Sequence, residues 1–194
     1  MTGEDPRGGR PQRADARRNY QHLLDQAKIA FAEFGADASL DEISRRAGVA
    51  SGTLYRHFPT RMDLIEAVLA DRIGELVNDG RGLLHAEDAV DALFTWLTAA
   101  VEHGVTYRGL SAAVMNSALD RGSAVISKWH KDMFDVGAQL LARAQASGAI
   151  VADVEAADVL KMVSAIAWAA QGDSAQASRL LTLSMNGLRA RPGG

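Results

Sequence analysis

The sequence predicts an all-α protein of about nine helices. Proline is scarce, 4 in 194 residues, while alanine and leucine abound and β-branched residues seldom run together. Apolar residues recur at steps of three and four along most of the chain. Glycines, among them Gly104, Gly122, Gly148 and Gly172, fall where these periodic stretches break, as helix stops do. At 47% apolar residues the chain can build real cores, in one large domain or two small ones. It has no cysteine, which excludes disulfides and thiolate metal sites.

The first thirteen residues read as a flexible basic arm. Arg7, Arg10, Arg13, Arg17 and Arg18 lie in the first eighteen positions among Gly and Pro, either as a solvated tail or as an arm for a polyanion. Residues 1–61 carry +2 and the remainder −5. From about Ala14 the spacing of Tyr20, Leu24, Ala27, Phe31 and Phe34 marks one face of a helix, with Gly35 as its stop. "SLDE" is a capping box, with Ser39 as N-cap and Glu42 reaching back, and it opens a short helix that turns Leu40, Ile43 and Ala47 inward. Gly48 permits a tight turn. Ser51 is expected to cap a second short helix, which Pro59 ends. "TRMD" is another capping box, for a longer helix through about Asn78. Further helices are expected near 87–103, 106–119, 123–147, 153–171 and 174–188.

The segment "GVASGTLYRHF" has few apolar residues for a helix. Leu54 and Phe58, at i and i+4, can face a core, while Ser51, Gly52, Thr53, Tyr55, Arg56 and His57 face outward. Two short helices joined by "AGVAS" form a helix-turn-helix, whose second helix lies in the DNA major groove. The expected divisions are the arm at 1–13, the DNA-binding domain at 14–62, and a ligand-binding and dimerisation domain at 63–190.

Residues 39–69, "SLDEISRRAGVASGTLYRHFPTRMDLIEAVL", resemble the DNA-binding signature of TetR-family transcriptional regulators. The preceding helix and "LLARAQASGAIVADVEAADVLKMV" extend the likeness. The resemblance implies a nine-helix protomer, a homodimer made through the last two helices, double-stranded operator DNA as partner, and release by a small molecule bound in the C-terminal domain. It also implies phosphate contacts for Tyr55, His57 and Arg61, the last standing where lysine is commoner.

Arg56 can read guanine through O6 and N7 or clamp a phosphate. Thr53 suits a thymine methyl, and Gly52 lets the backbone come close. Ser39 and Arg45 are further candidates for phosphate. In the C-terminal half Trp96, Trp129, Met115, Met133 and Phe134 can line an apolar ligand cavity, with His103, Tyr107 and Asn116 as polar contacts, or can be ordinary core. Phe94, Trp168 and His130 belong to the same set. The apolar, alanine-rich last helices must be buried, and Met162, Ala165, Ile166, Ala169, Leu180 and Leu183 are the candidate dimer contacts.

No apolar stretch is long enough for a bilayer, and a cytoplasmic protein is expected. The five histidines stand at no metal-ligand spacing, and no nucleophile–base pair or phosphate loop is evident, so neither an enzyme nor a cofactor or metal is expected.

Overall fold

The computed structural model describes residues 9–111, 114 and 124–190. Among them the chain is all-α, with no strand beyond an isolated bridge between Ile150 and Arg189. It divides into two compact units, Met1–Val68 and Leu69–Gly194.

In the first unit α1 spans Gly9–Phe34, so the helix begins five residues before Ala14 and takes in part of the expected arm. Its buried stripe is Leu23, Leu24, Ala27, Ala30 and Phe31. Phe34, expected to continue that stripe, is 60% exposed. It is the last residue of α1, and the chain turns away at Gly35 (φ +65°) into a single 3-10 turn, Gly35–Asp37. Helix α2 (Leu40–Arg46) and helix α3 (Ser51–His57) follow. Between them Gly48 takes φ +71°, and the Gly48 and Val49 amides donate to Arg45 and Ser44 carbonyls. These bonds satisfy the exposed end of α2 and set the turn. Leu54 and Phe58 are buried, as their spacing requires, and so are Ile43 and Phe31 of the same unit.

Both capping boxes are visible, one in part. Ser39 accepts from the Glu42 amide at 3.3 Å, but the Glu42 carboxylate turns to arginines rather than back to residue 39. At the start of α4 (Arg61–Leu83) the box is reciprocal: the Thr60 amide donates to Asp63 Oδ2 at 2.8 Å, and the Asp63 amide donates to Thr60 Oγ1 at 3.2 Å. Ser51 is not the cap of α3. The cap position is Ala50, and Ser51 Oγ instead donates across to Asp41 Oδ1 at 3.1 Å, tying α3 to α2.

In the second unit α5 (Ala89–Thr106) packs against α6 (Ala124–Ala146), α7 (Ala156–Ala169) and α8 (Ser174–Leu188). Residues 108–111 are helical, and half of the helix expected at 106–119 lies outside the described residues. Helix α4 runs past Asn78 through Gly80 and Gly82, where a stop was expected. The reason is Trp96 on α5. Its ring is 1% exposed, and Nε1 donates to the Leu76 carbonyl at 2.9 Å. A Cβ at Gly80 would stand 2.6 Å from that Nε1, and one at Gly137 of α6 would stand 2.9 Å from Cζ3. The indole fills the space of two missing side chains. Packing of this kind outweighs the helix penalty of glycine, which is about 1 kcal/mol.

Gly104 is likewise no stop. It lies inside α5, where a Cβ would come within 2.7 Å of Ala167 Cβ, so it sets the close approach of α5 and α7. The end of α4 is held by Arg143, whose Nη1 and Nη2 donate to the carbonyls of Leu83 (3.1 Å) and Ala86 (2.7 Å).

Candidate nucleic-acid interface and ligand cavity

The outer face of α3 is what its sparse apolar content requires. Leu54 faces the core, while Ser51, Gly52, Tyr55 and Arg56 are exposed and Thr53 is half-buried. Arg56 makes no ion pair or hydrogen bond among the described residues, and the neighbouring arginines differ from it in this respect. Arg45 holds Glu42 with Nε and Nη2 at 2.8 and 2.6 Å, and Arg46 Nε reaches the same carboxylate at 2.8 Å. Hydrogen bonds from the two guanidiniums hold the Glu42 carboxyl down to a pKa of about 2.

Arg61 is exposed, yet its Nη1 donates to the Ala36 carbonyl at 2.8 Å and also to that of Ala38. It therefore ties the first turn of α4 to the 3-10 turn before α2. His57 is half-buried: its ring stands 5.7 Å from Tyr20, edge to face, and 6.2 Å from Phe58. Its Nε2 is covered and has no partner, so that nitrogen is turned away from solvent. Ser39 is exposed at the start of α2. Arg61→Ala is expected to loosen this loop as well as to remove a charge. Operator affinity and thermal midpoint should fall together with the preferred sequence unchanged, as measured by titration at several salt concentrations and by thermal melting.

Residues 23–68 match the description "Bacterial regulatory proteins, tetR family", and residues 88–190 match "Transcriptional regulator SbtR-like, C-terminal domain". The chain belongs to the TetR family. It is a DNA-binding transcriptional regulator, and α2, the Gly48 turn and α3 are its helix-turn-helix. The TetR transcriptional regulator SCO0520 from Streptomyces coelicolor is 33% identical, over 89% of this chain and 99% of that one, with a TM-score of 0.75. A TetR regulator from Mycobacterium vanbaalenii is 32% identical, over 93% and 100%, with a TM-score of 0.69. Among curated relatives, the HTH-type regulator SrpR of Pseudomonas putida is 32% identical over 113 residues, 58% of this chain and 53% of its own length.

The second unit of this TetR-family chain holds a cavity of about 450 Å³. Leu69, Ile73, Met133, Leu160 and Val163 give it apolar walls. Trp129 and Trp168 add aromatic surface, and His103, Arg108, Ser111 and His130 add polar groups. Of the expected lining residues, His103, Trp129 and Met133 are brought together, as are Trp168 and His130. Trp96 is not among them; it is core, for the reason given above. Tyr107 is buried outside this cavity and Phe94 packs on the core, while Phe134 lies on the surface. Met115 and Asn116 lie outside the described residues. Arg108 was not foreseen, because nothing in its local sequence distinguishes it from a surface arginine.

His103 shows the strain of its position. Burial, reinforced by the Arg72 charge and opposed by Glu75, lowers its pKa to about 4, and Nδ1 has no partner. The unfolded chain therefore takes up a proton near pH 6.5 that the folded chain refuses until about pH 4. Full stability is present above pH 6.5 and is lost across that window as pH falls, by about 3 kcal/mol for this group. His103→Leu should flatten this part of the stability–pH curve, read by urea denaturation at intervals between pH 7 and 4.

Of the candidate dimer residues, Ala165, Ala169 and Leu183 are exposed on α7 and α8, and Met162 and Leu180 are half-buried. Ile166 points inward and belongs to its own chain's core, because it shares the buried stripe of Val159 and Val163. Trp168 and Leu183, each 68% exposed, stand on these same two helices. No helix among the described residues is long and apolar enough to cross a membrane, and none of their His, Asp and Glu side chains cluster to hold a metal ion.

Proposed function

We propose that this chain is a cytoplasmic, non-enzymatic repressor that binds paired half-sites as a homodimer and leaves its operator when a small apolar or amphipathic molecule enters the cavity of the second unit. The observation that carries the DNA-reading part is Arg56, exposed on α3 and without an internal partner, between the exposed Gly52 and Tyr55 and the anchor Phe58. An uncommitted guanidinium on a recognition helix suits bidentate contact to guanine. Arg61, Tyr55, Ser39 and Arg45 serve the phosphates, with Arg45 exchanging Glu42 for the backbone. His57, half-buried with its Nε2 covered, is a lesser contact. Thr53 and the backbone at Gly52 complete the face presented to the groove.

Paired reading needs two such helices roughly 34–36 Å apart, and a two-fold dimer through α7 and α8 would bring two copies of α3 into one assembly. The exposed Trp168, Ala169 and Leu183 support that interface. Helix α4 begins next to the helix-turn-helix and contributes Leu69 and Ile73 to the cavity, so a ligand that displaces it changes the half-site separation.

Random-site selection with wild type and Arg56→Ala tests the reading. The variant should lose about 1–3 kcal/mol at one base pair per half-site and accept other bases there. An unchanged consensus would make Arg56 a backbone contact.

A further inference from the structure

The cavity carries its own indication of what fills it. Its walls are mostly aliphatic and aromatic, and at about 450 Å³ it is within the range of pockets that hold small organic molecules. Among its described lining residues there is no carboxylate, and the one permanent charge is Arg108. Arg108 is exposed, so its charge is hydrated while the cavity is empty, and it makes no ion pair or hydrogen bond among the described residues. An arginine both exposed and lining the cavity stands at its mouth. Ser111, one helical turn further on, lines the same space. His103 lines the cavity too, but its Nδ1 is covered and does not face the space.

We propose that the effector is an amphipathic organic anion whose single carboxylate is received by Arg108, with Ser111 giving a second hydrogen bond, and whose apolar body lies against Leu69, Ile73, Met133 and Leu160. A carboxylate matches the planar fork of a guanidinium, and the pairing strengthens as the apolar body excludes water. A cation would meet Arg108 with no compensating acid among the described lining. A neutral apolar molecule would gain nothing from Arg108. Burial keeps His103 neutral near pH 7, so the charge at the cavity comes from Arg108.

This inference rests on the proposed reading of the cavity as the effector site. Titration calorimetry on the full chain with decanoate, decan-1-ol and decylammonium separates the two. Decanoate should bind about tenfold or more tightly than decan-1-ol, and decylammonium most weakly. Arg108→Gln should erase the gap between acid and alcohol while leaving the alcohol's affinity in place, and Arg108→Lys should retain part of it. Thermal melting of both variants without ligand confirms that they fold. Equal binding of acid and alcohol, or a preference that survives Arg108→Gln, would overturn the anion assignment while leaving an apolar effector site intact. No binding by any of the three would overturn the cavity reading and the anion with it.

Discussion

Trp96→Ala is expected to destabilise the second unit by about 3–5 kcal/mol, enough to leave it marginal at physiological temperature. The indole is the largest fully buried side chain on α5, the helix against which α6, α7 and α8 pack. Removing it opens a void between Gly80 and Gly137, and neither glycine has a side chain that could relax into the gap. The surrounding backbone is helical on both sides, so collapse is restricted and most of the cavity term remains. The Leu76 carbonyl also loses its indole donor. Trp96→Phe should lose less, about 1–2 kcal/mol, because it retains much of the ring volume but no N–H. Urea denaturation followed by circular dichroism measures both. A loss below about 1 kcal/mol for the alanine variant would mean that the two glycines do not frame the ring as described.

Ala169→Glu is expected to abolish the proposed dimer without unfolding the chain. Ala169 is exposed on α7, so a glutamate there meets water in the isolated protomer. In a two-fold interface the same glutamate is buried without a partner, and it occurs twice. At about 3–5 kcal/mol for each unpaired buried charge, the dimer dissociation constant should rise about a thousandfold or more. Sedimentation should give a monomer at micromolar concentration with an unchanged circular dichroism spectrum. Leu183→Asp on α8 should behave alike. Ile166→Glu is the contrasting case: Ile166 lies in the protomer's own core, and that variant should unfold. A wild type that sediments as a monomer would remove the dimer and paired half-site recognition together.

The helix-turn-helix was legible because its constraints are local. A glycine at the turn, two apolar residues four apart and a Thr–Asp box three apart each act within one turn of backbone, and sequence spacing is then nearly a distance. Trp96 stayed open between cavity and core for the opposite reason. What makes it a core residue is the absence of side chains at positions 80 and 137, on two other helices, and no local pattern relates those positions to 96. The same limit applies to Gly104, whose partner Ala167 is distant in sequence. Ser51 has the right chemistry for a cap, but Asp41 on the adjacent helix claims its hydroxyl. Glu42 fits the capping-box pattern, yet two arginines one turn away compete for it and win, since charged hydrogen bonds are stronger than those to a backbone amide. Phe34 failed on length: periodicity finds the face of a helix but not how far a core extends along it.

Helix α3 is anchored from one side only. Leu54 and Phe58 fasten it to the first unit, and Ser51 Oγ adds a tie to α2, while Tyr55 and Arg56 are exposed and a Cβ at Gly52 would meet open space. Substitutions at those three positions are therefore nearly free of folding cost, within about 0.5 kcal/mol apart from helix propensity. A lineage carrying this scaffold can drift through alternative residues there and acquire a new operator without passing through an unfolded intermediate. An engineer has the same freedom: a library randomised at 52, 55 and 56 should consist mainly of folded proteins, so that selection acts on sequence preference rather than on solubility.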